Sequence, residues 1–170
     1  MKIIRVIFLL LIIVSCEKEN EYFFTFDEVV RYNVDRNLSD NLIVKKDQTE
    51  KDSITKNIII GWHRTNTLSQ FVKDLDKSHY TSSTVDTIHN SKLREIFKAG
   101  DTPNELQTTC EPMYRNVFVF RNKGKITGVA QICLDCGKSN FIGTKSKTEN
   151  FGGNNEFDNL KQLLKIKTRY

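Results

Sequence analysis

The run "YRNVFVFRNKGKITGVAQICL", Tyr114 to Leu134, decides the fold. Two stretches rich in β-branched and aromatic residues flank Asn122-Lys123-Gly124. Such a pair around a glycine-bearing turn predicts an antiparallel β-hairpin. Just beyond it, "NFIGT" (Asn140–Thr144) predicts a third strand. Upstream, "TNTLSQFVKDLDK" (Thr65–Lys77) sets Leu68, Phe71, Val72 and Leu75 at helical spacing behind threonine caps, which predicts an amphipathic helix. A second helix is expected in "NSKLREIFKAGD" (Asn90–Asp101), with Leu93, Ile96 and Phe97 as its apolar face and Gly100 as its stop. A third closes the chain in "NEFDNLKQLLKIKTRY" (Asn155–Tyr170), where Phe157, Leu160, Leu163 and Leu164 share a face.

The remaining stretches carry weaker signals. "FFTFDEVVRYNV" (Phe23–Val34) is read as a short helix, since Phe26, Val29, Val30 and Asn33 fall near helical spacing. The polar run from Asp35 to Lys56 is read as a loop with a brief strand at Leu42–Val44. "NIIIGWH" (Asn57–His63) is read as a buried strand, and "SSTVDTIHN" (Ser82–Asn90) as another. "AGDTPNELQTT" (Ala99–Thr109) and "KSKTENFGGNN" (Lys145–Asn155) are loops. Helices and strands interspersed around an antiparallel hairpin predict the α+β class. The expected form is one compact domain, an antiparallel hairpin or sheet packed against three to four helices.

Length and composition agree, because 170 residues with 38% hydrophobic and 28% charged content suit one globular domain. The net charge of +5 belongs partly to the first residues. Two basic and no acidic residues lie within 1–15, so the rest carries 24 basic against 21 acidic side chains. Lysines are spread along the chain with acids beside them, as in "KKDQTEKD", whereas a nucleic-acid footprint needs a basic stripe. No nucleic-acid partner is expected.

"MKIIRVIFLLLIIVSC" begins with Lys2 and Arg5 and continues as an apolar run from Val6 to Val14. That run is too short for the roughly 20 residues a membrane-spanning helix needs, and it fits the apolar region of an export signal. It ends in Ile13-Val14-Ser15-Cys16, which resembles the signal of bacterial lipoproteins. The resemblance implies cleavage before Cys16, a diacylglycerol on its thiol and an acyl chain on its new amine. Several chains, at about 0.8 kcal/mol per buried CH₂, anchor a protein firmly. The expected organisation is a signal peptide at 1–15, a lipidated tether at 16–21 and a single domain at 22–170. The expected address is the bacterial cell envelope at the outer membrane, in either the periplasmic or the surface leaflet.

Three cysteines remain: Cys110, Cys133 and Cys136. Residue numbers across an antiparallel pair have a constant sum, about 246 for a turn centred on Lys123. Cys110 then faces Cys136 and Cys133 faces Met113, so all three thiols gather at the open end of the hairpin. A disulfide from Cys110 to Cys136 or Cys133 suits an exported protein. Zinc held by the three thiolates and His63, His79 or His89 is the metal reading, but no histidine has a convincing ligand spacing. A redox-active Cys133–Cys136 pair would need a helix N-terminus to lower a thiol pKa, and "GKSNFIGT" starts no helix. The structural staple is the preferred reading.

Other residues form no catalytic constellation. His63 at an element end reads as a structural, hydrogen-bonded histidine. Ser69, Ser82 and Ser91 lack a nucleophile-elbow pattern, and Asp74, Asp76 and Asp86 lack calcium-loop spacing. "NFGGNN" has no Lys-Ser/Thr after its glycines, as a phosphate loop requires. No cofactor is expected.

From "TTCEPMYRNVFVFRNKGKITGVAQICLDCGKSNFIGT" through "TENFGG" to the last helix, the chain resembles small lipoproteins of Bacteroidota. The shared features are a cysteine before a Tyr-Arg strand, a lysine/glycine turn, an "ICxxC" motif and an "IGT…ENFG" segment. The resemblance implies a Gram-negative envelope and makes the cysteine trio a family feature, and it implies no particular activity. The functional expectation is a membrane-anchored module that binds an envelope protein or a cell-wall component. A thiol-redox or zinc protein using Cys110, Cys133 and Cys136 is the alternative from another class. An immunity-type lipoprotein that neutralises an envelope toxin is a third.

Overall fold

In the computed structural model, residues 22–104 and 109–165 are described. The expected signal and tether segments, 1–21, lie outside them. Five strands form one antiparallel sheet: β1 (Glu28–Asn33), β2 (Thr81–Thr84), β3 (Asn116–Asn122), β4 (Lys125–Cys133) and β5 (Lys138–Ile142), in the order β2-β1-β3-β4-β5. Among the described residues five α-helices accompany it: α1 (Arg36–Val44), α2 (Glu50–Ile59), α3 (Leu68–Lys77), α4 (Asn90–Ile96) and α5 (Glu156–Leu163). The domain is α+β, with one more helix than the sequence suggests.

Strand β3 explains why the hairpin organises the rest. Its side chains alternate, so Val117 and Val119 face one side while Phe118 and Phe120 face the other. All four are fully buried. The valine face, with Val129 of β4, packs against Leu42 of α1, Ile58 and Ile59 of α2, and Phe71, Val72 and Leu75 of α3. The phenylalanine face packs with Phe23, Phe24 and Phe26, with Leu93 and Ile96 of α4, and with Phe157 and Leu160 of α5. A strand covered on both faces must be apolar throughout, which is why "NVFVF" shows no polar alternation.

Three readings of the sequence are corrected. Phe23–Val34 is not a helix: Glu28–Asn33 forms β1, paired on one side with β3 and on the other with β2. Val29 faces the phenylalanine core while Val30 and Tyr32 face the valine core, a period of two within a run that also fits a period near 3.6. Asp35–Lys56 is neither loop nor strand at Leu42–Val44 but the two helices α1 and most of α2. Their starts are set by caps, with Asp35 accepting from the Leu38 amide at 3.1 Å and Thr49 exchanging side-chain bonds with Asp52 in a capping box. Asn57–His63 is not a strand, because Ile58 and Ile59 end α2. Gly61 then takes φ +74°, the left-handed conformation that stops a helix at glycine.

The other elements match in type, though the last residues of the expected C-terminal helix, 166–170, lie outside the described ones. Helix α3 begins after Thr67, whose side chain caps the Gln70 amide at 3.1 Å. Helix α4 buries Leu93 and Ile96, β5 is the third strand of the meander, and α5 buries Phe157 and Leu160. In "SSTVDTIHN" only the start is strand, since β2 ends at Thr84 and Thr87–His89 is a 3₁₀ turn. The hairpin register is displaced by two from the expected one. The turn is the two-residue Lys123-Gly124, and a β-bulge between Phe120 and Arg121 adds a further residue, so Asn116 pairs with Ile132.

Candidate functional site

Strand β4 ends at Cys133, and the turn Leu134–Gly137 carries the chain into β5. Strand β3 begins only at Asn116, so Cys110 lies outside the ladder rather than opposite Cys136. The thiols meet nonetheless. Cys110 and Cys136 are bonded as a disulfide, with Cα atoms 5.8 Å apart. The Lys138 ammonium donates to the Cys110 carbonyl at 2.7 Å and fixes the approach. The staple spans a sequence separation of 26, worth about 3.5 kcal/mol on the loop-entropy account.

Cys133 is the third member, free and buried. Its sulfur accepts from the Met113 amide at 3.3 Å and packs with Tyr114 and Cys136. The two cysteines of the CxxC are therefore not bonded to each other. The residues between them have structural duties: Leu134 joins the phenylalanine core, and Asp135 is an electrostatic anchor. Asp135 accepts from Arg36 at 2.7 Å and from Arg115 at 2.9 Å. Arg115 also reaches Asp40 at 2.6 Å and the Ser39 hydroxyl at 2.7 Å. This network clamps the cysteine turn onto α1, and the guanidinium fork of Arg115 suits such a multi-centre role.

Tyr114 closes the site from the other side. Its amide donates to the Ile59 carbonyl at 2.7 Å, and its ring lies over Gly61, where a Cβ would stand 2.8 Å from it. Burial raises the Tyr114 phenol pKa, with the neighbouring Cys133 adding to the shift. Tyr80 donates to the Tyr114 carbonyl, and burial likewise pushes its phenol up. Next to this platform Trp62 projects into solvent, 75% exposed. A groove of about 240 Å³ runs beside the cysteine turn, lined by Cys136, Asp135, Phe157, Asp158 and Lys161 among others.

Two of the three histidines considered as zinc ligands are paired elsewhere. His63 bonds Asp74 at 2.9 Å, and His79 bonds Asp52 at 2.9 Å, while His89 lies in the 3₁₀ turn. Among the described residues no group of three or more His, Cys, Asp or Glu side chains could hold a metal ion. The two His–Asp pairs escape a sequence reading because Asp52 and His79 are 27 residues apart and no spacing rule joins them. Neither imidazole is hydrogen-bonded to a serine or cysteine among the described residues. Asp76 accepts from the Tyr32 hydroxyl at 2.8 Å and Asp86 caps the 3₁₀ turn through the Ile88 amide. Among the described residues no helix is long and apolar enough to cross a membrane. Comparison with protein-family models, with curated proteins and with solved structures finds no match to this chain.

Proposed function

We propose that this protein is a lipid-anchored module of a bacterial envelope, held at the outer membrane through Cys16, whose folded domain acts by binding rather than by catalysis. The observation that carries the anchor is the acid-free apolar run of the first residues ending on Ser15-Cys16. The Cys110–Cys136 disulfide supports the same address, because such bonds persist beyond the cytosol. The binding reading rests on how charge and aromatic surface are disposed. Arg36, Arg115, Asp40 and Asp135 neutralise one another in holding the cysteine turn, and Trp62 stands exposed next to Gly61, which the Tyr114 ring covers. An exposed tryptophan on a rigid support is the kind of anchor that dominates binding energy. Its partner is an envelope protein or a cell-wall component.

Replacing the anchor tests this. In cells producing the full chain, Cys16→Ala should leave the export signal uncleaved or release the protein from the membrane fraction, and incorporation of labelled fatty acid should be lost. Unchanged fractionation and unchanged acyl labelling would contradict the reading.

A further inference from the structure

Cys133 is a free thiol set beside a disulfide. It is 1% exposed, shares a buried cluster with Cys136 and Tyr114, and has its sulfur held by the Met113 amide at 3.3 Å. Cys136 carries the bond to Cys110. Only Leu134 and Asp135 separate Cys133 from Cys136, so nucleophile and target sit on one turn.

The two ends of the disulfide differ in their surroundings. Cys136 is 4% exposed and lies in the cluster with Cys133. Cys110 is exposed, and the Lys138 ammonium bonds its carbonyl at 2.7 Å. In thiol–disulfide exchange a thiolate attacks one sulfur, and the other departs faster the better its negative charge is stabilised. Cys133 neighbours Cys136, which makes Cys136 the sulfur attacked. Cys110 has water and a nearby cation to receive the charge, which makes it the leaving group.

We propose that Cys110 is a surface thiolation site, unmasked by exchange within the cysteine trio and trapped by an external disulfide. In the first step Cys133 gives its proton to solvent and its thiolate attacks Cys136 Sγ. The Cys133–Cys136 bond forms, the Cys110–Cys136 bond breaks, and Cys110 leaves as a thiolate, with no net oxidation. In the second step the Cys110 thiolate attacks one sulfur of a disulfide on a partner or small molecule. That bond breaks, and its other sulfur leaves as a thiolate that takes up a proton. The Cys110–Cys136 bond spans a separation of 26, far more than the CxxC, so it constrains the unfolded chain more and remains the major form until Cys110 is trapped. The inference goes beyond the binding reading and rests neither on the lipid anchor nor on Trp62.

The test incubates the full chain, folded in neutral detergent at mildly alkaline pH, with excess oxidised glutathione. Thiols are then blocked with N-ethylmaleimide and the protein is digested with trypsin without reduction. Cleavage leaves Cys110 in the peptide 99–115 and both other cysteines in 126–138, so mass spectrometry reads each arrangement separately. Before treatment the two peptides should be cross-linked, with maleimide on Cys133. After treatment 99–115 should carry glutathione and 126–138 should hold an internal disulfide. Cys133→Ala should abolish the adduct, and Cys133→Ser should do the same should the alanine variant fail to fold. The proposal is overturned by no adduct on the folded wild-type chain, by glutathione on 126–138 with the cross-link intact, or by two maleimides on 126–138 beside a modified Cys110. An adduct on Cys110 that survives both substitutions overturns it as well. Cys16 falls in a different peptide, so failure of the anchor is read independently.

Discussion

Asp52 shows how much one side chain can hold. Its carboxylate takes a bond from Lys45 at 2.6 Å, from the Thr49 amide at 3.0 Å and from His79 at 2.9 Å, so it ties α1, the start of α2 and the segment after α3 together. These contacts, the Lys45 bond foremost, hold its carboxyl well below the usual carboxylate range. A depressed folded-state pKa means that the stability it contributes is present above the unfolded value, about 3.9, and is lost as pH falls through the folded value. Asp52→Asn should therefore be less stable than the parent at neutral pH. The gap, followed by urea unfolding at a series of pH values, should narrow below about pH 4. A gap that stayed constant down to strongly acidic pH would show that the carboxylate's charge plays no part.

At the scale of elements, Phe24 and Gly128 explain one join of the sheet to its cover. Gly128 faces Phe120 across the β3–β4 ladder, and the Phe24 ring stacks on Phe120 with centroids 4.5 Å apart while occupying the space a Cβ on Gly128 would need. Gly128→Ala should cost about 1–3 kcal/mol by overpacking, read as a lower denaturation midpoint with an unchanged slope. No loss would mean that Phe24 can move aside freely. The same scale shows what could be read from residues alone. Helices α3 and α4 and the β3–β4–β5 meander were legible because their buried faces are apolar and their periods unmixed. Helix α2 was hidden because its buried face includes Thr55 and Asp52, so the only apolar signal was the isoleucine run at its end. Strand β1 was hidden because both of its faces are buried, so the apolar run that carries its period of two also fits helical spacing. Register arithmetic brought the three cysteines together yet missed the bulge that displaces the ladder, since nothing in "FRNKGKITG" marks an extra residue.

For the whole molecule, one sheet is sealed by helices on both faces, and its cysteine end is closed by a staple and a charge network. Reduction of Cys110–Cys136 should lower unfolding stability by about 3.5 kcal/mol while leaving the fold. Thiol titration in denaturant should find Cys133 alone before reduction and all three internal cysteines after it, and three reactive thiols without reductant would refute the staple. The central claim, however, concerns where this domain is held. It is tested most directly by mass spectrometry of the N-terminal peptide from protein extracted out of the membrane fraction. The account predicts a peptide beginning at Cys16 and carrying a thioether-linked diacylglycerol. A peptide beginning at Met1, or one in which Cys16 keeps an unmodified thiol, would contradict it.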